Sequence, residues 1–246
     1  MTIRMRSTDR ACICGLTGTG KTVLTQYLCT LYEKTGLLIY DPLSQFTAFK
    51  PEQRYVPKSN SIREFNNVCR QLCARENVTF VIEEAERYLG QGKEMGDDTF
   101  DLINRGRNWG VGIVAVTRRI QRLSKDFFDL CQHVFFFKCG LRSRGYIEDM
   151  IGSKETEQIL HLKRYRFLYF NVETEESEVR WLNLQGVHPH LEADKPGQEV
   201  EPAPRDEPPG EIAPEGEESE KRAERTVQPR GEPSSGAAQG GWKPRR

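Results

Sequence analysis

The chain has 246 residues with 36 basic and 36 acidic side chains, and its mean hydropathy is −0.66. At 37% hydrophobic and 29% charged it reads as a water-soluble globular protein, and no run approaches the ~18 apolar residues of a membrane span. The opening stretch MTIRMRSTDR lacks the apolar core of a signal peptide, so the expected setting is the cytosol.

The neutral balance hides an asymmetry. Residues 189–246 hold 13 of the 36 acidic side chains, 9 of the 36 basic ones and 10 of the 13 prolines. They contain almost no large apolar residues and cannot bury enough surface to offset chain entropy, so 188–246 is expected to be a disordered Pro/Glu/Arg-rich tail. Its acidic stretch, 192–220, precedes Arg222, Arg225, Arg230, Arg245 and Arg246; it suits a solubilising tail, or one that mimics or gates a polyanionic partner. The seven cysteines lack the paired CxxC units of a zinc site and are expected to be buried reduced thiols.

Residues 8–187 alternate strand and helix signals. RACICG (10–15) reads as a strand entering a glycine turn, and KTVLTQYLCTLYEKTG (21–36) as a helix ending at Gly36. LLIYD (37–41) is a strand stopped by Pro42, and 61–76 a helix with a Ser61–Glu64 capping box. VTFVI (78–82) is a buried strand, 97–107 a helical patch, and VGIVAVT (111–117) another buried strand. A strand closes FDLCQHVFFFK (128–138), a helical stretch spans about 142–161, and RFLYFNV (166–172) with EVRWLNL (178–184) forms a terminal hairpin. Apolar strands alternating with helices predict an α/β fold: a mostly parallel central sheet flanked by helices, ending in that hairpin.

Gly15-Leu16-Thr17-Gly18-Thr19-Gly20-Lys21-Thr22 fits G-x-x-x-x-G-K-[ST], with a strand before it and a helix after it. Glycines let backbone N–H groups turn inward around phosphates, and the helix start adds free donors and a positive dipole end. Residues 15–22 with Val23 are the predicted nucleotide cradle, Lys21 reaching the β- and γ-phosphates and Thr22 ligating Mg²⁺. A triphosphate site also needs acid at a neighbouring strand tip. Glu83 and Glu84 follow VTFVI; Glu83 is assigned to the metal shell and Glu84 to the general base, the alternative being two solvated carboxylates at a helix start. Thr117 is either a γ-phosphate sensor or an ordinary strand-end threonine. Arg105 and Arg107 serve either a helix dipole or an active site across a subunit interface.

Three segments carry a family likeness: GLTGTGKT, FVIEEAERYL, and RGRNWGVGIVAVTRRIQRLSKDFFDLCQHVFFF. Through them the chain resembles the HerA/FtsK superfamily of P-loop ATPases (the RecA-like ASCE class), most of all the small genome-packaging ATPases of tailless, membrane-containing viruses. The resemblance spans roughly residues 8–187. It implies ATP and Mg²⁺ as cofactors, double-stranded DNA as the cargo of a homo-hexameric ring, and a capsid or membrane-vertex protein as a further partner. It also implies an arginine acting in trans, for which Arg107 aligns best and Arg105 second. Two departures stand out: Glu83 replaces the usual Asp, and Thr117 stands where many relatives have Gln. Neither the barrel that precedes cellular HerA motors nor the winged helix that follows FtsK motors is expected here. Arg118, Arg119, Arg122, Lys125, Arg142 and Arg144 are candidate contacts to DNA phosphates, or a solvated face. Alternatives are a phage assembly or secretion ATPase of the zonula-occludens-toxin-like type, and a nucleotide switch without motor activity.

Overall fold

The computed structural model describes residue 3 and residues 5–32, 36–92 and 95–182; the tail expected over 188–246 lies outside them. Among the described residues the apolar runs become eight strands: β1 (Arg10–Cys14), β2 (Leu37–Tyr40), β3 (Arg54–Tyr55), β4 (Val78–Ile82), β5 (Val111–Thr117), β6 (His133–Phe137), β7 (Arg166–Asn171) and β8 (Glu176–Trp181). They form one sheet in the order β3-β2-β4-β5-β1-β6-β7-β8. Every pairing from β3 to β6 is parallel. The expected terminal hairpin is there: β7 runs antiparallel to β6, and β8 to β7.

Strands β1, β4, β5 and β6 are buried at every position, which is why their sequences show no polar alternation. Successive residues point to opposite faces and feed two cores. On one face Ala11, Ile13, Val114, Val116 and Phe135 pack under Leu24, Leu28 and Tyr32 of α1 (Lys21–Tyr32). On the other, Cys12, Phe80, Ile113 and Phe136 pack with Phe65, Val68 and Leu72 of α2 (Ile62–Cys73), Leu102 and Ile103 of α3 (Asp97–Arg105), and Phe127 of α4 (Lys125–Asp129). Ile147 of α5 (Arg144–Ile151) and Ile159 of α6 (Ser153–Leu160) complete that face.

Register decides where the site falls. Cys12 pairs with Ala115, which also pairs with Ile82, so β1, β5 and β4 end along one edge of the sheet. Cys14 pairs with Thr117 there. In parallel α/β sheets ligands bind outside the carboxyl ends of the strands.

Three local readings need correction. Ser61 does cap α2, accepting from the Glu64 amide at 3.2 Å, but Glu64 does not return the bond. Its carboxylate accepts from the amides of Lys58 and Ser59, both at 2.8 Å, and so pins the entering loop. The stretch 142–161 is two helices, α5 and α6, broken at Gly152, whose φ of 90° no helix interior accommodates. Edge strand β3 went unread because two half-buried residues carry no periodicity.

Candidate nucleotide site

The glycine loop leaves the tip of β1 and is fastened on both sides. The Gly15 amide donates to the Thr117 carbonyl of β5 (3.3 Å), and the Leu16 amide to the Lys138 carbonyl just past β6 (2.8 Å). Gly15, Gly18 and Gly20 have φ of 147°, 76° and 118°, conformations that side-chain-bearing residues rarely adopt. Space adds a second requirement, since a Cβ on Gly15 would lie 2.6 Å from that of Phe137. Thr19 closes the loop by donating from its hydroxyl to the Leu16 carbonyl (2.8 Å). The Lys21 ammonium donates to the same carbonyl at 2.8 Å. Lys21 is buried, and burial lowers its pKa while nearby Glu83 opposes the shift. Thr22 and Val23 open α1 beside it, and the loop, Glu83, Glu84 and Thr117 line one cavity of about 310 Å³.

Glu83 and Glu84 are 6% and 4% exposed, so the solvated-carboxylate reading fails. No α-helix starts there either: a single 3₁₀ turn, Ala85–Arg87, follows. Burial pushes the Glu83 carboxyl up to about 7, with Lys21 pulling the other way. Its Oε1 is buried without a hydrogen-bond partner among the described residues. An orphan acidic oxygen lining the same cavity as the Thr22 hydroxyl fits Mg²⁺, which takes one or two protein oxygens and fills its octahedron with water and phosphate.

Glu84 sits in the left-handed region at φ 52°, where a non-glycine residue costs on the order of 1 kcal/mol and which is a mark of functional sites. Two guanidiniums hold it: Arg118, bonded to Oε1, and Arg87, whose Nε lies 2.6 Å from Oε2. Neither arginine belongs to a motif that marks it as a partner of Glu84. Arg87 stands three residues after Glu84, across one 3₁₀ turn, whereas Arg118, one residue past the tip of β5, meets it because β5 lies beside β4. Thr117 is buried, and its hydroxyl oxygen accepts from the Arg119 amide at 3.1 Å. Arg87, Arg118, Arg119 and Arg122 line a second, larger cavity of about 810 Å³ that also borders Leu16 and Thr17.

The remaining basic residues part company. Lys125 lies over the Tyr146 ring, 5.8 Å from its centroid, and Arg144 pairs with Glu157 at 3.0 Å. Arg105 and Arg107 are exposed at the other edge of the sheet, just before β5 begins, with Arg105 3.5 Å from Asp101. Six residues of strand rise, about 20 Å, separate them from Thr117, so the chain does not bring them to its own site.

The cavity has one wall that no motif announced. Arg164 and Tyr165, immediately before β7, line it on the side away from β5. Tyr165 has φ 62°, and its amide donates to the Thr19 carbonyl of the loop at 2.9 Å.

No protein-family model and no curated protein sequence matches the chain. Solved structures do. The genome-packaging NTPase B204 of Sulfolobus turreted icosahedral virus 2, in complex with ATP-gammaS, superposes at a TM-score of 0.65 and 16% identity, over 73% of this chain and 100% of that one. Its AMPPCP complex gives 0.63 and 16%, over 72% and 98%. Thermomonospora curvata EccC (ATPases 2 and 3, with a signal sequence peptide) gives 0.53 and 13%, over 71% of this chain and 38% of that one. The chain therefore has the P-loop NTPase fold, with β5 between the phosphate-loop strand and the acid-bearing strand, a fold it shares with B204.

Proposed function

We propose that the chain is an ATPase whose hydrolysis moves double-stranded DNA, as a homo-hexameric ring that packages a viral genome. The observation that carries the reading is the convergence of the glycine loop, Lys21, Thr22, Glu83, Glu84 and Thr117 on one cavity at adjacent strand tips. Loop amides and Lys21 hold the phosphates. Thr22 and Glu83 hold Mg²⁺, which when bound offsets charge on the phosphate oxygens. Glu84 takes the proton of the attacking water, and it can do so only once Arg118 or Arg87 releases it. Arg107 comes from the neighbouring copy, because among the described residues none from the Val111 end of β5 lines the chain's own cavity.

The DNA side of the reading rests on charge and on likeness of fold. Residues 1–188 carry a formal surplus of four positive charges, and backbone phosphates ask for charge without sequence readout. B204 is named a genome-packaging NTPase. The test is ATP turnover by the full chain with and without linear double-stranded DNA, alongside Glu84→Gln. DNA should raise turnover, and the variant should lose on the order of 10²- to 10⁴-fold, the worth of a positioned general base. Turnover indifferent to DNA would replace this reading with a protein-handling ATPase.

A further inference from the structure

A nucleotide has two ends, and the site described so far receives only one. The sheet order assigns the other. Glu83, Glu84 and Thr117 stand at the tips of β4 and β5, on one side of the β1 loop. A triphosphate tail directed toward them sends its base to the opposite side, over β6 and β7. Because β7 is antiparallel to β6, with Phe137 facing Phe167, the start of β7 returns to the same edge. Arg164 and Tyr165 stand there, lining the same cavity as Gly18, Gly20 and Val23.

Their arrangement is built and not incidental. The Arg164 guanidinium lies over the Tyr165 ring, 4.7 Å from its centroid, the stacked cation–π geometry. Tyr165 is half-buried and left-handed at φ 62°, an outlier for a bulky residue. Two backbone bonds hold it so: its amide to the Thr19 carbonyl, and the Leu182 amide to its own carbonyl, both at 2.9 Å. The first ties the stack directly to the phosphate loop. The ring also approaches the loop itself: a Cβ on Gly20 would meet Tyr165 Cδ1 at 3.0 Å. An aromatic ring and a guanidinium plane, stacked at the far end of a phosphate cradle, are the two surfaces on which nucleobases stack.

We infer that the Arg164–Tyr165 stack is the nucleobase platform of this site, binding the base by its face, so that purine nucleoside triphosphates are preferred over pyrimidine ones because the larger ring system stacks over more area. The inference rests on the ATPase reading. It is tested by calorimetric titration of the full chain, in Mg²⁺, with ATP, CTP and inorganic tripolyphosphate. Tripolyphosphate fills the cradle and carries no base, so it reports the phosphate half alone.

The parent chain should bind ATP more tightly than both CTP and tripolyphosphate. Tyr165→Ala should weaken ATP about tenfold, the order expected for one lost base–aromatic stack, and leave tripolyphosphate within about twofold. Tyr165→Phe should restore ATP binding, and Arg164→Ala should weaken ATP less than Tyr165→Ala does. Equal losses for ATP and tripolyphosphate in Tyr165→Ala would make Tyr165 a prop for the Gly20 turn and overturn the platform. So would an unaltered ATP affinity. A parent chain that binds neither ATP nor tripolyphosphate would instead remove the ATPase reading, and the platform with it.

Discussion

At its Thr117 end, β5 lies between the phosphate loop and Glu83–Glu84; at its Val111 end it follows Arg105 and Arg107. The first end is buried, glycine-rich and acidic, with Glu83 and Glu84 under 10% exposed. The second is exposed and basic. Both come from a single continuous run, NRGRNWGVGIVAVTRR, and a rigid seven-residue strand keeps them apart. Proximity along the sequence therefore places these arginines away from their own site. If they serve hydrolysis, a neighbouring copy must present them, and association of copies becomes a condition for turnover.

Mixing experiments put the largest effect on this contrast. Arg107→Ala should lower turnover by about 10³- to 10⁵-fold, the range for an arginine finger, while its affinity for ATP stays near the parent's. Arg107→Ala and Glu84→Gln chains, each inactive alone, should recover measurable turnover when combined, since some interfaces then pair an intact Glu84 with an intact Arg107. Absence of complementation, with oligomers formed, would confine Arg107 to the dipole of α3.

A second, smaller effect sharpens the acidic end. Glu83 has a folded pKa of about 7 against an ordinary 4.5, so between those values the folded chain holds a proton that the unfolded chain has lost. Stability should then fall as pH rises from about 4.5 to 7, by on the order of 3 kcal/mol from this group. Glu83→Gln should remove that slope and stabilise the metal-free protein at pH 8 while leaving it unaltered below pH 4. Urea unfolding at pH 4, 7 and 8 reads this directly, and an unchanged slope would show that Glu83 is solvated.

The smallest expected effect concerns the clamp on the base. Arg118 is 46% exposed at its side chain and Glu84 only 4%; water screens the guanidinium, and Arg87 still faces the buried carboxylate, so loss of this one partner is worth on the order of 1 kcal/mol. Arg118→Ala should accordingly raise DNA-free turnover by up to about fivefold. A fall in steady-state turnover would mean that Arg118 contributes to the reaction instead of restraining Glu84.

Much of this molecule was legible in its sequence, because some chemistry is written locally. Gly15, Gly18 and Gly20 adopt positive φ, and glycine at those spacings is what a phosphate loop needs wherever the loop ends up. The unbroken apolar runs of β1, β4, β5 and β6 had to be strands buried on both faces, and Glu83 and Glu84 had to lie at the end of one. What no local pattern could decide was adjacency. The placing of β5 between β1 and β4 set Arg118 on Glu84, and the antiparallel return of β7 set Tyr165 against the phosphate loop. Those contacts join residues 34 and 146 positions apart. Strand order is chosen by how whole faces of the sheet cover one another, a property of the assembled core that no single stretch carries.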